Sequence, residues 1–94
     1  MADMYVADAA LSPQGYYQVT GLSAAKSIAG GNGRIALVQA VDQNVRWRDD
    51  GTDPTPTVGM RLFAGDSMWY TGDLRRVRFI EETASAELNV STYQ

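Results

Sequence analysis

The sequence predicts an all-β domain: a small two-sheet β-sandwich, jelly-roll-like, of about seven to eight short strands with an extended N-terminal arm. Three observations lead there. Apolar and polar residues alternate over short runs such as Val45–Arg48 and Ala86–Tyr93, the period of a half-buried strand. Turn residues punctuate the chain at Gly21, at Gly30–Gly33, and around Gly51, Gly65 and Gly72. No run shows the three-to-four-residue apolar repeat of an amphipathic helix.

Residues 1–14 mix small, acidic and Pro/Gly positions and read as the arm, with Tyr5 and Val6 placed to dock on a neighbour; residues 15–94 form the sandwich domain. Tyr16–Thr20 opens the first strand and Gly21 closes it. Ala24–Ala29 is open to either a helical or an extended reading, and the Gly30-Gly31-Asn32-Gly33 turn that follows favours a short strand. Arg34–Val41 is the clearest core strand, with Ile35, Leu37 and Val41 on one face. Its other face carries Ala36, Val38 and Ala40, small enough for a second sheet or subunit to approach closely. Asp42-Gln43-Asn44 reads as a hairpin turn into Val45–Arg48, whose alternation puts Val45 and Trp47 inward and Arg46 and Arg48 outward. Asp49-Asp50-Gly51 ends that strand, and Pro54 and Pro56 make the next loop poor in backbone donors. Met60–Phe63, Ser67–Tyr70, Arg76–Ile80 and Ala86–Tyr93 complete the set, the last with Leu88 and Val90 inward.

Composition narrows the function classes. A 94-residue chain with no cysteine has a thin margin of stability, and oligomerisation is a common way to add burial. The N-terminus has no basic region followed by an apolar core, so no signal peptide is expected, and no stretch reaches the ~20 apolar residues of a membrane span. The net charge of −3 argues against a general nucleic-acid binder. Of the eight basic residues all but Lys26 are arginine, which suits planar, bidentate contacts at interfaces. There is no His and no Cys to serve as the usual base or nucleophile, so no catalytic residue and no cofactor is expected. Asp49, Asp50 and Asp53 lack the spacing of a calcium loop and read as turn residues, so no metal site is expected.

The run NVRWRDDGTDPTPTVGMRLFAGDSMWYTGDLRRVRFIE, ending in ELNVSTYQ, resembles a family of small virion structural proteins of tailed bacteriophages and prophages. The family pattern is a VRWRDDG strand and turn, a Pro-Thr loop, an aromatic strand and a closing RFI strand; its earlier Gln-x-Thr-Gly-Leu segment matches Gln18–Leu22. The resemblance covers Tyr16 to the C-terminus and departs at Ala29-Gly30-Gly31-Asn32, where relatives carry a Pro-Ala-Gly-like turn. It implies a non-enzymatic virion protein made in the bacterial host cytoplasm, a capsid decoration or cement protein that binds and stabilises the head. Its expected partners are itself, as a homotrimer, and the major capsid protein or other virion proteins, without membrane. A neck, tail or fibre position is the alternative within the virion, and a carbohydrate-binding module is the alternative from another class.

The candidate assembly interface is Tyr5, Arg46, Arg48, Asp49, Asp50, Met68, Trp69, Tyr70, Arg76 and Arg78. Arg46 and Arg48 either reach carboxylates on a partner or bridge Asp49, Asp50 or Glu81 of their own domain. Arg75, Arg76 and Arg78 join them in a basic stripe flanked by Asp73, Glu81 and Glu82. Trp47 belongs to the buried set. Met68, Trp69 and Tyr70 cannot all share one face of a strand, so either Trp69 points in and its neighbours out, or the reverse. The outward members serve as subunit anchors or, in the carbohydrate reading, as a stacking platform of Trp69 and Tyr70.

Overall fold

In a computed structural model that describes residues 10–28 and 33–94, the chain forms eight strands and no helix. They are β1 (Pro13–Val19), β2 (Lys26–Ser27), β3 (Ile35–Val41), β4 (Val45–Arg48), β5 (Met60–Leu62), β6 (Ser67–Tyr70), β7 (Arg78–Glu81) and β8 (Glu87–Tyr93). Two antiparallel four-stranded sheets result, one ordered β1-β8-β3-β6 and the other β2-β7-β4-β5. This is the strand order of a jelly roll. Only β4 and β5 are neighbours both in the chain and in a sheet; every other connection crosses between sheets.

That topology corrects the expected hairpin between β3 and β4, which lie in opposite sheets. At Asp42 the backbone takes φ 71°, and Gln43 N donates to Val41 O at 2.9 Å, so the turn tips the chain out of the first sheet. The next strand then pairs with β5 and β7. Alternation in β3 had placed the alanines correctly for a close approach: Ala36, Val38 and Ala40 are fully buried, and what approaches them is the second sheet.

The core forms where the two inner faces meet. Leu88 and Val90 from β8, Val45 and Leu62 from the β4–β5 pair, and Phe79 from β7 are buried in one cluster with Leu22, Ile28, Leu74 and Val77 from connecting segments. Full burial of each large apolar side chain contributes about 1.5–3 kcal/mol, so this cluster is the main source of cohesion between the sheets. Small residues face large ones across the first sheet: Ala36 sits opposite Tyr70 and Val38 opposite Met68.

Several strands start elsewhere than the sequence suggests, β1 by the widest margin. β1 begins at Pro13, because Ser12 and Gln94 exchange backbone hydrogen bonds of 2.8 Å that extend the β1–β8 ladder. β7 begins at Arg78, because Asp73 holds a turn through Arg76: Arg75 N donates to Asp73 Oδ1 at 2.9 Å and Arg76 N to Asp73 O at 3.0 Å. Tyr5 and the Gly30-Gly31-Asn32 turn lie outside the described residues.

Candidate assembly interface

Strand β4 organises the second sheet's two surfaces. Val45 is fully buried and Trp47 packs on the core, edge-on to Tyr70 (centroids 5.9 Å, 74°) and tilted against Phe79 (6.5 Å). Arg46 and Arg48 therefore project from the opposite, outer face, as alternation requires. The register brings Arg61 of β5 beside Arg46 and Arg78 of β7 beside Arg48.

The outer face is cross-linked by Glu82. Arg46 Nε donates to its Oε2 at 2.8 Å, while Arg61 donates from Nε to Oε2 at 2.7 Å and from Nη2 to Oε1 at 2.9 Å. Hydrogen bonding from Arg61, reinforced by both positive charges, holds the Glu82 carboxyl below its ordinary pKa. Arg46 also donates to Gly59 O at 3.1 Å. Gly59 has φ 143°, and a Cβ there would meet Trp47 O at 3.1 Å and Pro54 Cβ at 3.2 Å. Only glycine takes that backbone readily, which lets the loop before β5 fold tightly against β4. Arg48 grips Asp50 with Nε and Nη2, and this pairing lowers the Asp50 pKa.

The largest exposed apolar side chains of the second sheet gather on β5 and its flanks. Val58 is 50% exposed, Met60 61% and Phe63 49%, with the Arg61 guanidinium 4.7 Å over the Phe63 ring. Val58 and Met60 also line an open groove of about 440 Å³ with Trp47, Arg48, Asp49, Asp50 and Gly59. Tyr70 closes the space behind it: its hydroxyl donates to Asp49 Oδ2 at 2.7 Å, tying β6 of the first sheet to the end of β4 in the second. Burial, then the Asp49 carboxylate, pushes the Tyr70 hydroxyl up to a pKa of about 12.

The structure thus gathers part of the expected interface and disperses the rest. Arg46, Arg48, Asp50 and Arg78 share the outer face or its rim, and Asp49 joins them at the groove. Of the two alternatives for the aromatic strand, Met68 and Tyr70 point inward and Trp69 outward, its ring 5.6 Å from that of Tyr93. With Tyr70 only 6% exposed, a stacking platform of Trp69 with Tyr70 does not exist. Arg76 sits in the Asp73 turn with a guanidinium nitrogen near Gly51, and Arg75 is 88% exposed beside Asp73. Sequence reasoning missed Val58, Met60, Phe63 and the role of Arg61. A signal was present, since Met60-Arg61-Leu62-Phe63 has three apolar residues for one short strand, too many for a single inner face.

Elsewhere, the outer face of the first sheet carries an uncharged ladder: Tyr16 Oη and Gln18 Nε2 donate to Asn89 Oδ1, and Asn89 Nδ2 donates to Gln39 Oε1. A cleft of about 460 Å³ at one end is lined by Asp42, Glu81 and Glu87 among small residues, and among the described residues no group of acidic side chains converges to hold a metal ion. A scan against protein-family models and searches of curated proteins and of solved structures found no match.

Proposed function

We propose that this chain is a non-enzymatic virion structural protein of a tailed phage or prophage, acting as a capsid decoration or cement protein. The observations that carry the reading are the exposure of Val58 and Met60 at the groove bordered by Arg48, and of Phe63 beside the Arg61 guanidinium of the outer face. Protein–protein interfaces combine apolar anchors with arginine in this way. The resemblance through Val45–Asp73 and Arg76–Glu81 supports the phage setting. The jelly-roll order agrees with it, since viral capsid proteins use that architecture; so do lectins, and fold alone does not decide between them.

The mechanism is mass action. A subunit that binds only the assembled shell stabilises it by RT ln(1 + [L]/Kd) at each site, repeated over the shell. The test is cosedimentation with phage heads assembled without the protein. Saturable binding at a fixed ratio to the capsid protein is expected, and recovery of all the protein in the supernatant would refute the decoration role.

A carbohydrate-binding role draws on a different surface from the one the sequence suggested. Tyr16, Gln18, Asn89 and Gln39 set an aromatic ring and amide groups on one exposed sheet face. Glycan titration followed by tryptophan fluorescence decides it: a saturable change supports it and flat traces across a broad panel remove it.

A further inference from the structure

The register of the second sheet sets two pairs of arginines face to face. Arg46 is opposite Arg61 across β4 and β5, and Arg48 is opposite Arg78 across β4 and β7. Directly opposed residues stand with Cβ atoms roughly 4.5–5.5 Å apart, where like charges repel. The first pair is bridged by a carboxylate between them, because Glu82 accepts from Arg46 and Arg61 at 2.7–2.9 Å. The second pair has no such bridge. Arg48 turns sideways to Asp50, two residues along its own chain, and among the described residues no ion pair or hydrogen bond holds the Arg78 guanidinium.

From this asymmetry we infer that Arg48 and Arg78 together receive a carboxylate from a partner protein, seated between them as Glu82 sits between Arg46 and Arg61. Arg48 can do this without releasing Asp50, since its grip uses Nε and Nη2 and leaves the Nη1 edge free. Both side chains are half-buried, so an entering carboxylate is partly desolvated and its charge-assisted bonds are less screened than at an open surface. The chemistry favours a protein carboxylate over a nucleic-acid backbone. The chain is net −3, and Asp49 and Asp50 line the groove beside Arg48, so a polyanion meets a repelling field where one side-chain carboxylate meets two guanidinium groups. Arg48 also borders the groove of Trp47, Val58 and Met60. The fitting partner therefore presents an Asp or Glu next to an apolar side chain. This inference rests on the assembly reading above and names the chemistry of the surface that docks.

Two experiments separate the inference from that reading. In the first, arginine Nε–Hε NMR signals of the intact protein are followed during titration with the N-acetylated, C-amidated tripeptide Leu-Glu-Leu at low ionic strength. The Arg48 and Arg78 signals should move together and saturate while those of Arg46 and Arg61, already held by Glu82, stay in place. Arg78→Gln should weaken binding by roughly fivefold, and Arg78→Lys should recover only part of it because the planar fork is lost. Shifts spread evenly over all the arginines, unchanged affinity in Arg78→Gln, or tighter binding of an oligothymidylate would overturn the inference. In the second, Arg78→Glu protein with an unchanged melting temperature should lose cosedimentation with phage heads, and wild-type-like sedimentation of that variant would overturn the inference. Failure of the wild type itself to sediment would refute the decoration role, and the NMR titration would still decide the arginine pair.

Discussion

Tyr70→Phe removes one oxygen and nothing else, and that oxygen is the link between the sheets behind the groove. The Tyr70 hydroxyl donates to Asp49 Oδ2 at 2.7 Å from a side chain that is 6% exposed. A hydrogen bond to a charged acceptor contributes about 1.5–3 kcal/mol when both partners are dry. Asp49 is exposed and regains water once the hydroxyl is gone, so the expected loss sits lower, at about 1–1.5 kcal/mol. For a domain of this size that corresponds to a fall in Tm of roughly 4–12 °C. Urea unfolding followed by tryptophan fluorescence reads it, with the transition midpoint moving and the slope unchanged. Asp49→Ala completes a double-mutant cycle in which the double variant should be little less stable than the worse single one, a coupling of at least about 0.5 kcal/mol. The same bond predicts an alkaline limit. The hydroxyl's pKa is raised in the fold from 10.0 to about 12, so its contribution is complete below pH 10 and is lost as pH rises towards 12. Additive single substitutions, or a Tyr70→Phe protein that melts with the wild type and keeps its alkaline transition, would refute the account of how the groove is held.

Other outcomes follow from the same structure. Leu88→Ala, at a fully buried site between the sheets, should cost about 2–5 kcal/mol in a denaturant titration, enough to unfold much of a marginal domain. Glu82 is held below its ordinary 4.5 by Arg61 and Arg46, so its stabilisation is present above pH 4.5 and fades as pH falls through the lowered value; Glu82→Gln should flatten the acid limb of a Tm–pH profile. Met60→Ser with Phe63→Ser should leave Tm nearly unchanged, because both side chains are about half exposed or more, while reducing cosedimentation with phage heads. Deleting residues 2–9 tests the arm without touching the Ser12–Gln94 pairing, and should weaken binding to heads while the sandwich melts as before.

The longest core strands, β3 and β8, were legible because their burial alternates. The fully buried set Ala36, Val38, Ala40, Val45, Leu88 and Val90 falls where the period of two puts it. Their partnering was not. Asp42-Gln43-Asn44 has the composition of a hairpin turn, and nothing local distinguishes a turn that stays in a sheet from one that crosses to the other. Jelly-roll pairing joins β1 with β8 and β2 with β7, contacts that no sequence window contains. The direction of Trp69 was equally undetermined until Ala36, lying opposite Tyr70, supplied room for the Tyr70 ring on the inner face. For the arginines, alternation gave the face but not the acceptors. Glu82 was visible as a flanking charge, yet its bridging of Arg46 and Arg61 depends on the registers of three strands at once.

We propose that the chain is built into a virus particle through this surface. Quantitative mass spectrometry of phage particles purified from an infected or induced host that carries the gene, scaled to the major capsid protein, tests that proposal. The decoration role predicts a ratio near that of the capsid protein itself. A ratio of a few per cent would contradict decoration and move the protein to the neck, tail or fibres, and absence from the particle would contradict the structural role altogether.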